Sequence, residues 1–149
     1  MGIVIEQNIS LAQYTTLRVG GEARYFVSVT SEEELCEAVL WAKSNAVPFY
    51  ILGYGSNVLV HDSEVQGLVI QIALKGYSHT IEDTAVYLKV CAGEMLDEVV
   101  AYTVEQQWWG IENLSSIPGT VGATPIQNVG AYGVGIKDVV TSVRVFNTN

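Results

Sequence analysis

The apolar positions along the chain fall into short β-rich runs separated by two stretches of helical spacing. Arg24 to Val29 (RYFVSV) predicts a strand that stops at Thr30-Ser31. Ser31 and Glu34 then form an S-x-x-E capping box, and the carboxylates of Glu32, Glu33 and Glu34 suit the positive end of a helix dipole. Leu35, Ala38, Val39 and Ala42 follow at i, i+3, i+4 and i+7, which predicts an amphipathic helix with one stripe against a sheet. Pro48 and the apolar run PFYIL complete a β-α-β order over residues 24 to 52. Further strand-like segments occupy Val58 to Val60 and the run from Gly67. The segments Tyr77–Ile81 and Ala85–Val90 flank the turn cluster Glu82-Asp83-Thr84 and predict an antiparallel hairpin. A second helix is expected from about Met95 to Gln107, burying Leu96, Val99, Val100, Thr103 and Val104, and a last strand from Val139 to Phe146. One early β-α-β followed by hairpin signals places the chain in the α+β class rather than among doubly wound parallel sheets.

Composition narrows the function. A chain of 149 residues buries roughly 68–70% of its unfolded surface, enough for a core without staples, and its length argues against two separately folded domains. Sixteen acidic against seven basic residues give a net charge of −9, with no cluster of Lys or Arg, which disfavours nucleic acid and acidic membrane surfaces as partners. No stretch has the length of a membrane span, and the N-terminus lacks the pattern of a secretory signal, so a cytoplasmic protein is expected. Cys36 and Cys91 form no C-x-x-C pair and are expected as buried thiols; His61 and His79 are isolated and expected at the surface, and no metal is implied.

Glycine placement is more specific. Six of the fourteen glycines (Gly110, Gly119, Gly122, Gly130, Gly133, Gly135) share one window with Pro118 and Pro125. That window is either a long connection or a binding loop held in shape by backbone turns. The second cluster runs Ile51-Leu52-Gly53-Tyr54-Gly55-Ser56-Asn57. A strand entering G-x-G-S-N exposes successive N–H groups to which an anionic diphosphate binds, with Ser56 and Asn57 adding donors; a tight strand-to-strand turn is the other reading. Basic residues at the nearest sequence positions, Lys43 and Lys75, lie well outside this loop, so backbone amides would carry such an anion. The dinucleotide fingerprint is absent, because Val58 and a strand-like run follow where a third glycine and a helix belong, and no P-loop or G-x-S-x-G is present.

Taken in order, TTLRVGGEA at 15–23, ILGYGSNVLV at 51–60, AGE at 92–94 and GIENLSSIPGTVGATPIQNVGAYG at 110–133 closely resemble the UDP-N-acetylenolpyruvoylglucosamine reductase family. The resemblance implies an α+β FAD-binding domain of the p-cresol methylhydroxylase type over residues 1–149, built from two small subdomains that hold FAD non-covalently between them. It further implies that Gly53, Tyr54, Gly55, Ser56, Asn57, Val58 and Leu59 surround the FAD diphosphate. Ile117, Pro118, Gly119, Thr120, Gly122, Ala123 and Thr124 would wrap flavin and diphosphate. Gln127, Val129 and Gly130 would contact the isoalloxazine side, and Tyr132 would face substrate and flavin. Tyr54 stands where the family commonly has a small or acidic residue, and Ala123-Thr124 where glycine or serine pairs are frequent; backbone contacts would survive both departures, which bear only on side-chain contacts.

Family chemistry, on the same resemblance, moves a hydride from NADPH through FAD to the enolpyruvyl ether of a UDP-sugar, a step of peptidoglycan synthesis on which cell shape and division depend. The arginine of a G-Y-R-x-S motif and the serine of a G-S-x-F-K-N motif that serve this reaction do not occur in these 149 residues. Catalytic residues and a substrate-binding domain are therefore expected to be absent, leaving a chain that binds FAD and is inactive by itself. A flavoprotein oxidase or dehydrogenase of the same superfamily, or a non-catalytic nucleotide-binding module, are the alternatives.

Overall fold

A computed structural model describes residues 2–148. The chain divides into two compact units, Met1–Leu74 and Lys75–Asn149, each mixing helix and sheet.

The first unit is built on a four-stranded sheet. Strands β1 (Glu6–Ser10), β2 (Glu22–Val29), β3 (Phe49–Leu52) and β4 (Val65–Ile72) lie in the order β1-β2-β4-β3. β2, β4 and β3 are parallel, and β1 is antiparallel at one edge. Helix α1 (Glu32–Ser44) connects β2 to β3. The expected β-α-β is thus present, with β4 inserted between its two strands. Strand alternation sorts the core onto two faces. Val27, Val29, Leu68 and Ile70 pack with Ala38, Val39 and Ala42 of α1. Ala23, Phe26, Leu52 and Val69 pack with Leu11 on the opposite face. The central strand β4 is apolar on both faces for this reason, as parallel strands covered on both sides are.

Ser31 caps α1 by accepting from the Glu34 N–H at 3.2 Å, but only half of the expected box forms. The Glu34 carboxylate bonds one residue earlier, to the Thr30 N–H at 2.6 Å and hydroxyl at 2.9 Å. That N–H donor, more than any other contact, holds the Glu34 carboxyl below the usual range.

The second unit opens with the hairpin of β5 (Tyr77–Glu82) and β6 (Ala85–Val90), closed by Asp83-Thr84 with Asp83 at φ 54°. Helix α2 (Leu96–Glu105) is shorter than expected at both ends. Gln107 turns into the left-handed region and the Trp108 N–H bonds back to the Thr103 carbonyl at 2.9 Å, which closes the helix without a glycine. Leu96, Val99, Val100 and Thr103 are buried as expected, whereas Val104 faces outward. Leu96 and Val100 form a core with Leu114, joined by Ile111, Ile117, Val129 and Ile136. A short helix α3 (Thr124–Gln127) and a two-residue-stranded hairpin, β7 (Gly130–Ala131) with β8 (Val134–Gly135), complete the regular structure.

Two expected strands are not formed. Val58 to Val60 is loop and pairs with no strand among the described residues; just after it the Gly21 N–H donates to the His61 carbonyl at 2.9 Å. Val139 to Phe146 is irregular and exposed, Val145 being 79% accessible. β-propensity there meets no pairing strand among the described residues, and a strand exists only as half of a pair. Cys36 and Cys91 are free and half-buried rather than buried, and both histidines are exposed.

Candidate functional site

The loop Gly53–Leu59 leaves the sheet at the carboxyl end of β3, the end at which open sheets with parallel strands place their ligands. Gly55 is buried at its centre, with φ 69°. A Cβ on Gly55 would lie 2.1 Å from the Tyr14 carbonyl oxygen and 2.8 Å from Thr15 Cα, so only glycine fits. The Gly55 carbonyl accepts from the Thr16 N–H at 3.1 Å and from the Thr16 hydroxyl at 3.4 Å. Thr15, itself buried, donates its hydroxyl to the Val19 carbonyl at 3.0 Å and fixes the loop that backs the site. A Cβ on Gly21 would meet the Asp62 carbonyl oxygen at 2.4 Å, so the same backing loop also holds the far end of the glycine loop.

Among the described residues, the N–H groups of Gly53, Tyr54, Gly55 and Asn57 donate to no protein acceptor. An amide in such a position needs an acceptor from ordered water or a ligand. Tyr54, Val58 and Leu59 are exposed, Ser56 is half-buried and Asn57 is exposed, an arrangement that leaves the loop rim open. Arg18, on the backing loop, is a residue that sequence order conceals. It stands 35 positions before Gly53, yet its loop is bonded to Gly55.

The second glycine segment is held differently. Residues 119–122 run antiparallel to residues 92–96. The Leu96 N–H donates to the Gly119 carbonyl at 3.0 Å, the Val121 N–H to the Glu94 carbonyl at 2.8 Å, and the Gly122 N–H to the Ala92 carbonyl at 2.9 Å. A Cβ on Gly122 would lie 2.6 Å from Ala92 Cβ. Gly119 and Thr120 are buried, and buried Thr124 donates its hydroxyl to the Val121 carbonyl at 2.8 Å. Ile117, Gly122, Ala123 and Val129 are half-buried, while Pro118, Gln127 and Gly130 are exposed. Asn128, left-handed at φ 47°, ends α3.

Tyr132 and Gly133, at φ 53° and 83°, form the two-residue turn of the β7–β8 hairpin, a conformation such hairpins favour. Tyr132 is 90% exposed. An open depression of about 520 Å³ is lined by Asn128, Gly130, Tyr132, Lys137 and Asp138. Of the expected site residues it gathers Gly130 and Tyr132, and the other positions of the second segment lie outside its lining.

Two carboxylates brace this unit. Glu94 accepts from the Gly76 N–H at 2.6 Å and from Lys75 Nζ at 3.1 Å. Glu112 accepts from the Gly110 N–H at 2.6 Å. In both, the backbone donor is the largest cause holding the carboxyl below its usual range.

Comparison with known proteins fixes the class. A family described as FAD binding domain matches residues 23–149, and the chain belongs to it. Its sequence is 42% identical over 142 residues to UDP-N-acetylenolpyruvoylglucosamine reductase of Cutibacterium acnes, covering 95% of this chain and 38% of that protein. The reductase of the same name from Thermobifida fusca is 46% identical over 142 residues, of which this chain covers 40%. The chain thus spans about two-fifths of these relatives. The crystal structure of UDP-N-acetylenolpyruvylglucosamine reductase from Thermus caldophilus superposes with a TM-score of 0.68 at 31% identity, over 89% of this chain and 45% of that one. A solvent-stable cholesterol oxidase shares the fold at 14% identity, with a TM-score of 0.55 over 70% of this chain and 20% of that one. The α+β fold expected from the sequence is the fold that these two structures share.

Proposed function

We propose that this chain is the FAD-binding part of a reductase that uses NADPH to convert the enolpyruvyl ether of UDP-N-acetylglucosamine to UDP-N-acetylmuramate in the cytoplasm. Identity of 42% or more to reductases of that name, over nearly all of this chain, is the observation that carries the reading. The residues present suit the cofactor. Open amides at Gly53, Tyr54, Gly55 and Asn57 are suited to diphosphate oxygens, because oriented N–H dipoles hold an anion without a charged side chain. Val58 and Leu59 supply apolar surface beside them.

In this reading two backbone segments contact the cofactor. Gly53–Leu59 holds the diphosphate, and Ile117–Thr124 wraps diphosphate and flavin, with Gln127, Val129 and Gly130 toward the ring. FAD, when bound, supplies two-electron hydride chemistry. The chain's own part is to bind and orient it. Tyr132, exposed at its turn, faces the substrate. Neither a general acid nor a basic clamp for the substrate diphosphate is assigned to these residues, so the chain alone does not turn over.

The test pairs two assays on the purified chain. FAD titration is expected to show binding with flavin-band changes, and NADPH oxidation with the enolpyruvyl substrate is expected to stay at background. A chain that fails to take up FAD, or one that turns over at an ordinary enzymatic rate, contradicts the proposal.

A further inference from the structure

The turn Cys91–Glu94 is a junction that the cofactor reading leaves without a role. On one side its main chain carries the second glycine segment, through the Ala92 and Glu94 carbonyls that accept from Gly122 and Val121. On the other it grips the first residues of the second unit: the Cys91 N–H donates to the Gly76 carbonyl at 2.9 Å, and the Glu94 carboxylate accepts from the Gly76 N–H. Gly76 is thereby held through both its donor and its acceptor. It needs holding, because φ of 116° is a conformation that no packing enforces: a Cβ there would have nothing within 4 Å. The Glu94 side chain is only 12% exposed and spans the two halves of the junction.

Resting on the FAD reading above, we propose that Glu94 is a positioning residue for the cofactor. Its carboxylate locks the entry of the second unit to the turn whose carbonyls set residues 119–122, and it does so without touching FAD. Its two oxygens divide the work. Oε1 holds the Gly76 N–H and Oε2 the Lys75 ammonium. The Lys75 side chain is 55% exposed, where ion pairs contribute little, so the Gly76 bond carries the effect.

Four proteins test this: the wild-type chain, Glu94→Ala, Glu94→Gln and Lys75→Met, each titrated with FAD, and the first three digested with trypsin, which cuts after Lys75, a site that Lys75→Met lacks. Glu94→Ala is expected to lose about tenfold in FAD affinity, as loss of one charge-assisted hydrogen bond predicts, and to be cut faster at Lys75. Glu94→Gln keeps an acceptor for Gly76 and is expected to stay within about threefold of wild type. Lys75→Met is expected to match Glu94→Gln in affinity. Wild-type binding with equal affinity in Glu94→Ala overturns the inference alone. An equal loss in Glu94→Gln also overturns it, since charge and not the Gly76 bond would then matter. Wild type without FAD binding overturns the FAD reading and this inference with it. Should Glu94→Ala not fold, amide exchange on the wild-type chain decides: FAD must slow exchange at both Gly76 and Val121, and an unchanged Gly76 amide contradicts the proposal.

Discussion

The two glycine segments reach similar ends by opposite means. In the first unit, Gly55 is wedged against the backbone of Tyr14 and Thr15, and the amides of Gly53, Tyr54, Gly55 and Asn57 stay open. In the second, residues 119–122 spend their backbone groups on a neighbouring strand-like segment, and Gly122 is required because Ala92 is across from it. One glycine makes room for backbone contact at an exposed donor set; the other makes room for a side chain under a paired segment. The first type suits an anion held by N–H groups, and the second suits a wall that must keep its shape.

That contrast predicts unequal tolerance. Gly55→Ala meets a main-chain oxygen at 2.1 Å and an unfavourable φ, neither of which can relax locally. A loss of about 3 kcal/mol or more is expected in denaturant unfolding of the first unit. Gly122→Ala meets the Ala92 methyl first and is expected to cost about 2 kcal/mol. Removing that methyl with Ala92→Gly in the same chain should restore at least half of the loss; a double variant no better than the single one would show that the Ala92 carbonyl, and not its methyl, is the obstacle.

Acid separates the units as well. Glu94 and Glu112 brace the second unit and Glu34 the first, all with carboxyls held below their ordinary range by backbone N–H donors. A depressed folded value means that the stabilisation is present above the unfolded value, about 4.3, and is lost as pH falls through the folded value. With two such groups against one, amide exchange below about pH 4 should rise first in the second unit. Opening of the first unit ahead of the second would break this assignment. The smallest effect is expected at Tyr54→Ser: the side chain is half exposed and on the proposed reading the loop binds through its backbone, so FAD affinity should change less than about threefold.

What could be read from sequence follows the range of the forces involved. The Arg24–Val29 strand, the α1 stripe and the Tyr77–Val90 hairpin are written in local periodicity and turn chemistry, and each is present in the structure. Val139–Phe146 has the same local signature but depends on a distant partner, which periodicity does not encode. The glycine motifs were visible, yet their supports were not. Thr16 lies 39 positions from Gly55, and Lys75 and Gly76 lie 19 and 18 positions from Glu94. Such pairs are set by tertiary packing, and Glu94 carried no signal beyond its place in the A-G-E triplet.

The proposed reading, that the glycine segment Ile117–Thr124 contacts FAD, is tested most directly by calorimetric titration of FAD into the wild-type chain and the Gly122→Ala variant. The account predicts one FAD per wild-type chain and an affinity at least about tenfold weaker in the variant while the first unit keeps its wild-type stability. Equal affinity in the two proteins, or no binding to wild type, would contradict it.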